Sequence, residues 1–186
     1  MKMNVRFLTG ILTIGMLLAP PGWVSAATKD FSQNVTVNVG NVLSITFEDD
    51  PNLVLEFTND FSQNAISFTG KTIVYTVRAN NMPNSALLGA VSARISTALN
   101  GIAIVGDPGA YINDGTSSSA TLVESAADFI TIGTTATNMF DKPASSGTDG
   151  KLLAGRAPIH YRARALRNLT PADGGPTTLI VTLKDA

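Results

Sequence analysis

Residues 71–79 read KTIVYTVRA, with Ile73, Tyr75 and Val77 on one side of an alternation and Thr72, Thr76 and Arg78 on the other. That period of two is the strongest constraint in the chain. Successive side chains of a strand point to opposite faces, whereas a helix repeats every 3.6 residues, so such a stretch is a strand with one buried face. Strand patterns recur in VTVNV (35–39), VLSITF (42–47), LVLEFT (53–58), AVSARISTAL (90–99), ADFITIG (127–133), APIHYRARAL (157–166) and TTLIVTLKDA (177–186). In APIHYRARAL, Ala157, Ile159, Tyr161, Ala163 and Ala165 share a face, and His160, Arg162 and Arg164 take the other.

The connections carry turn chemistry. EDDPN (48–52) separates two of the strands as a turn, and LTPADGGP (169–176) predicts an antiparallel pairing of the last two. NNMPNSALLG (80–89) and TNMFDKPASSGTDGKLLAGRAP (137–158) read as loops, the second long and exposed. No stretch sustains an amphipathic helix. About nine or ten short strands with turns between them predict an all-β chain folded as an antiparallel β-sandwich, with a closed barrel as the alternative.

The first 26 residues follow a different rule. Lys2 and Arg6 precede an apolar run from Phe7 to Ala19, Pro20, Pro21 and Gly22 end it, and Val24-Ser25-Ala26 offers small residues for cleavage. This is the pattern of a cleaved signal peptide, so residues 27–186 are expected as a single exported domain at the cell surface or beyond it. The run is shorter than the roughly 20 apolar residues of a membrane span, and no later segment is long enough to be one. Removing the leader moves the formal charge from −1 to about −3, with no basic cluster left to grip nucleic acid. With no cysteine in the chain, the exported domain must hold together by its core alone. At about 160 residues a domain buries roughly two thirds of its unfolded surface, which suffices.

Catalytic patterns are missing. The single histidine, His160, lies among arginines on the polar side of its strand, and no carboxylate partner can be placed beside it. No nucleophile elbow, paired-histidine zinc motif or phosphate loop occurs. Glu48, Asp49 and Asp50, and separately Asp107, Asn113 and Asp114, could supply oxygens to calcium, but their spacing fits turns better than a calcium loop. The expectation is a non-enzymatic protein without a cofactor. Asn34-Val35-Thr36 and Asn168-Leu169-Thr170 match the glycosylation pattern without deciding anything.

Two features point to assembly. The phrase DFSQN occurs at 30–34 and again at 60–64, opening DFSQNVTVNVG and DFSQNAISFTG. If both copies enter strands of one sandwich, Phe31 and Phe61 would anchor matching core positions. Alternatively the first copy leads a donor strand, with Val35, Val37 and Val39 entering pockets of a neighbouring subunit. The second feature is the pair of chain ends, NVTVNVGNVLSITF and IHYRARA…PADGGPTTLIVTLKDA. In these residues the chain resembles the secreted β-sandwich subunits of bacterial surfaces, a loose group of pilin-like and spore-coat-like proteins. The resemblance implies an immunoglobulin-like or pilin-like sandwich and a structural role in a surface fibre, pilus or coat, with self-association by strand pairing. A secreted adhesive module that binds a glycan, a protein or calcium is the alternative.

Overall fold

The computed structural model describes residues 42–48, 52–115, 120–145 and 151–185, which belong to one unit spanning Val39–Ala186. The leader, the first DFSQN copy and the donor-strand valines Val35, Val37 and Val39 lie outside the described residues, as do Asp49 and Asp50. Among the described residues the chain is all-β, with ten strands and no helix. They are β1 (Leu43–Phe47), β2 (Lys71–Ala79), β3 (Leu87–Ile95), β4 (Ile102–Pro108), β5 (Ile112–Asn113), β6 (Val123–Glu124), β7 (Ile130–Ile132), β8 (Thr137–Lys142), β9 (Leu153–Ala165) and β10 (Leu179–Leu183). Every pairing is antiparallel. One sheet has the order β1-β2-β9-β4-β7, with β5 also against β9, and the other has the order β10-β3-β8-β6.

β9 is the spine of the first sheet. Its alternation is complete: Ala157, Ile159, Tyr161, Ala163 and Ala165 are each 2% exposed or less. β2 lies along one side of it, from Lys71↔Tyr161 to Ala79↔Leu153. β4 and then β5 lie along the other, with a break at Gly109–Tyr111. Pro158 can donate no ladder bond, and it sits opposite that break, where its carbonyl accepts from the Gly109 N–H at 2.9 Å. Tyr161 and Tyr75 meet in the middle of the core, hydroxyl to hydroxyl at 3.0 Å, so two polar atoms that burial would otherwise orphan satisfy each other. Burial pushes the ionisation of both hydroxyls up, so both stay neutral.

The second sheet packs Val91, Ala93 and Ile95 of β3 and Phe140 of β8 into the same core cluster. Its register is irregular at Leu87–Ser92, where Gly89 takes φ +60° and the Asn138 side chain occupies the space a Cβ would need. A side chain at 89 would meet both the left-handed backbone and that carboxamide, so the bulge requires glycine.

Four expectations need correction. β9 and β10 do not pair. β2 and β4 already take both sides of β9, so the Thr170–Gly175 turn carries the chain across to the other sheet, where β10 pairs with β3 from Leu179↔Ile95 to Leu183↔Val91. The described part of 137–158 is not an exposed loop: it contains β8 and the start of β9, and Met139, Phe140 and Leu153 are fully buried. Lys142 closes β8 at 1% exposure, donating from Nζ to the Pro143 carbonyl at 2.8 Å and to Ser145 Oγ at 3.2 Å. Leu87–Gly89, expected as the end of a loop, opens β3.

The fourth correction concerns the segments on either side of EDDPN, of which Asp49, Asp50 and Pro51 lie outside the described residues: the two flanks do not fold back on each other. β1 runs antiparallel to β2 as far as the Glu48 N–H on the Val74 carbonyl. Residues 53–57 continue in the same direction, where the Glu56 carbonyl accepts from Phe68 N–H at 2.8 Å and the Glu56 N–H donates to Thr69 Oγ1 at 2.7 Å. The segment LVLEFT is therefore a loosely bonded continuation of the β1 edge, alternating half-buried and exposed, and not the return arm of a hairpin.

Candidate functional site

Both sheets end on the same side of the molecule in strands that have no second neighbour among the described residues: β1 in the first sheet and β10 in the second. Register decides which way their side chains face, because residues directly opposite in an antiparallel pair share a face. Leu43, Ile45 and Phe47 stand opposite Ala79, Val77 and Tyr75, all core residues, so this row points between the sheets. Leu179, Val181 and Leu183 stand opposite Ile95, Ala93 and Val91 and point between the sheets as well. Yet Leu43 is 45% and Phe47 52% exposed, and Leu179 and Val181 are only half-buried. Two inward-facing apolar rows thus look at each other across a gap that no other described strand fills.

The gap is a groove made of adjoining cavities. One, of about 300 Å³, lies between Ile45–Phe47 and Leu179–Val181, with Ile73 and Tyr75 also lining it. The next, of about 520 Å³, is walled by Leu53 and Leu55 on one side and Gly174–Leu179 on the other, over Ile95, Ile104 and Ala163. A third, of about 270 Å³, continues past Phe57 and Phe61 to Leu169–Pro171. Leu179 joins the first two and Leu55 the last two. Because 45–47 face 179–181 while 52–55 face 174–179, β10 runs opposite to the flank that it faces. Natural sheets usually guard an edge with lysine, proline or a bulge. β10 reads LIVTL and carries none of these.

The rim turn is held by Asp173, whose side chain is 2% exposed. It accepts from Arg167 Nη2 at 2.6 Å, Asn100 Nδ2 at 3.0 Å, and Thr170 N–H and Oγ1 at 2.7 and 3.1 Å. Gly174 and Gly175 come next in the chain at φ +91° and +125°, a conformation that glycine adopts without cost and that lets the chain switch sheets. The bond from the Thr170 N–H, with the Thr170 hydroxyl and Arg167, holds the Asp173 carboxyl below the usual carboxylate range, outweighing the opposing effect of its burial. A carboxyl depressed in the folded state stabilises above its unfolded ionisation range, and that stabilisation is lost as pH falls through the folded value. We expect Asp173→Asn to melt below the parent at pH 6, and the difference to vanish in a melting series carried down to pH 2. A constant difference at every pH would refute this role.

The other sequence candidates do not converge. His160 lies half-buried on the outer face of the first sheet, where Arg162 Nε donates to its Nε2 at 3.2 Å. On its other side Nδ1 lies 3.0 Å from Thr72 Oγ1, in a hydrogen bond between the two side chains. Asp114 is paired with Arg78 at 3.5 Å and Arg156 at 3.9 Å, and Glu48 accepts from Thr76 Oγ1 at 2.7 Å. Among the described residues no three His, Asp or Glu side chains are placed to share a metal ion, and no helix is long and apolar enough to cross a membrane. Phe61, expected in the core, is 50% exposed and sits at the mouth of the third cavity. Sequence reasoning misses the groove rows, because periodicity marks which face is buried but not which strand is last in its sheet. Comparison with protein-family models, curated proteins and solved structures finds no match to this chain.

Proposed function

We propose that this is a non-enzymatic, exported structural protein, a subunit of a surface fibre, pilus or coat that self-associates by strand addition. The observation that carries the reading is the open groove, in which two core-facing apolar rows end in edges with no neighbouring strand among the described residues. An extended segment laid there gains main-chain hydrogen bonds from an edge and buries alternate side chains in the cavities. If each subunit gives a strand to the next, the contact is head-to-tail and does not close, which makes a filament. The signal-like leader and the pilin-like or spore-coat-like chain ends agree with this role.

The test is negative-stain electron microscopy and size exclusion of residues 27–186, beside the same chain lacking 28–40. Filaments or sheets from the first, and their loss in the second, are expected. A parent protein that stays monomeric at every concentration would overturn the reading. The groove would then favour the ligand-binding alternative, which a screen of glycans and calcium by thermal shift would examine.

A further inference from the structure

The main chain of β1 and β10 shows what can cover the two apolar rows. In an antiparallel pair, residues alternate between bonding their partner and turning their N–H and C=O away from it. Asn80 N–H donates to the Val42 carbonyl and Glu48 N–H to the Val74 carbonyl, both at 3.1 Å. The even-numbered residues of β1 therefore bond to β2, and Leu43, Ile45 and Phe47 turn their main-chain groups to the open side. β10 has the same phase. Ser96 N–H donates to the Thr178 carbonyl at 2.8 Å and Lys184 N–H to the Ala90 carbonyl at 2.9 Å. That places the main-chain groups of Leu179, Val181 and Leu183 on the open side of β10. In both strands, the residues that send side chains between the sheets also present their main chain to the free edge.

The two edges match one another. β10 runs opposite to β1, and the cavity between them has Ile45–Phe47 on one wall and Leu179–Val181 on the other. One antiparallel register agrees with both observations: Phe47 opposite Leu179, Ile45 opposite Val181 and Leu43 opposite Leu183. It pairs all five residues of each strand and makes these three pairs the hydrogen-bonded ones. It also sets the two apolar rows directly across from each other, the arrangement in which cross-strand side chains interact most. A slip of one residue would bring Phe47 to Ile180, whose main chain is turned to β3, and every pair would fall out of phase. The distance to be closed is small. Cα atoms of β1 and β10 come within 8 Å of each other, and a hydrogen-bonded antiparallel pair stands at about 5.5 Å.

We infer that β1 and β10 of the same chain zip together in this register and close the groove on its own two walls. Closure covers Leu43 and Phe47, which are 45% and 52% exposed in the open form, and bonds the two edges to each other. It acts as an autoinhibitory contact, and in that role it rests on the strand-addition reading, whereas the pairing itself does not. Neighbouring strands stand about 4.8 Å apart, so a guest strand lying between β1 and β10 needs them about 10 Å apart. Where they come within 8 Å the guest has no room, and the edges must part before one is accepted. The subunit therefore has two states, one with its edges bonded to each other and one with the groove exposed. A guest strand binds only the second, so closure lowers its apparent affinity by the fraction of subunits that are closed.

Amide hydrogen exchange on the monomer fraction of dilute exported protein tests the pairing without any substitution. In the closed state the amides of Leu43, Ile45, Phe47, Leu179, Val181 and Leu183 are all bonded, so each should exchange at least about tenfold more slowly than an unprotected amide. Unprotected rates at these positions, or protection of one edge alone, would overturn the closure. Cysteine pairs test the register, since the chain has no other thiol. Ile45→Cys with Val181→Cys should oxidise within single chains about tenfold faster than Ile45→Cys with Ile180→Cys, because position 180 faces outward. Phe47→Cys with Leu179→Cys serves as a second pair should the first fail to fold. Equal rates in the paired and outward-facing variants would refute the register. Where the parent assembles, the oxidised Ile45→Cys, Val181→Cys variant should stay monomeric and regain assembly on reduction. Assembly that survives the cross-link would refute the autoinhibitory role. A parent that never assembles while both edges stay protected would sink strand addition, and autoinhibition with it, and would support the pairing.

Discussion

Leu179→Asp is expected to give a folded monomer that no longer assembles. Leu179 lines both of the larger cavities and points between the sheets, but in the free subunit it is only half-buried. A carboxylate there keeps its water, so the cost to the monomer is on the order of 1 kcal/mol, a melting temperature a few degrees down at most. Once a strand covers the groove, the same carboxylate is enclosed among Ile45, Ile73 and Ile95 with no cation beside it. The effective penalty for such a charge is several kcal/mol, and each 1.4 kcal/mol is tenfold in affinity, so association should weaken by about a thousandfold. Size exclusion and electron microscopy read the assembly, and a thermal melt reads the fold. Unchanged assembly by a well-folded variant would show that the groove is not the contact.

Tyr161→Ala should have the opposite profile, with large loss of stability and no specific effect on the groove. Tyr161 is fully buried on the central strand, and its ring stands on the inner face of the first sheet, in the core shared with β3 and β8. Truncating a large buried aromatic costs about 3–5 kcal/mol, since the surrounding sheets cannot close over the void. For a domain of this size that is roughly 10 °C in melting temperature. Tyr161→Phe separates the hydrogen bond from the packing. It leaves the Tyr75 hydroxyl without its buried partner, at a cost of about 1–3 kcal/mol. If the alanine variant melts no lower than the phenylalanine variant, the core does not depend on this ring as argued.

The strand faces are legible in the sequence and the strand partners are not. Ile73, Tyr75 and Val77, and the Ala157–Ala165 row, are buried as their alternation predicts, because one-sided burial leaves a period of two wherever it occurs. β8 is hidden for the complementary reason. Met139 and Phe140 are adjacent and both buried, beside the register shift in β3, so the alternation breaks where the bulge does. PADGG makes a turn, as its residues predict, but not a hairpin, since nothing local records that β9 has no free side left. Hydrophobicity alone would put Phe61 in the core. The Asp60–Ser62 bonds and the Leu169 N–H on the Phe61 carbonyl fix its backbone at the surface instead. The groove is the least legible feature of all, because a strand at a sheet edge has the same pattern as one inside it.

β10 comes after every other described strand in chain order and forms one wall of the groove. During synthesis this wall is therefore made after the rest of the described groove, which takes shape only when β10 settles on β3. On the strand-addition reading, a nascent chain cannot accept a strand before its own last strand is in place. On that reading, the order in which the polypeptide is made acts as a clock on when each chain can first accept a strand.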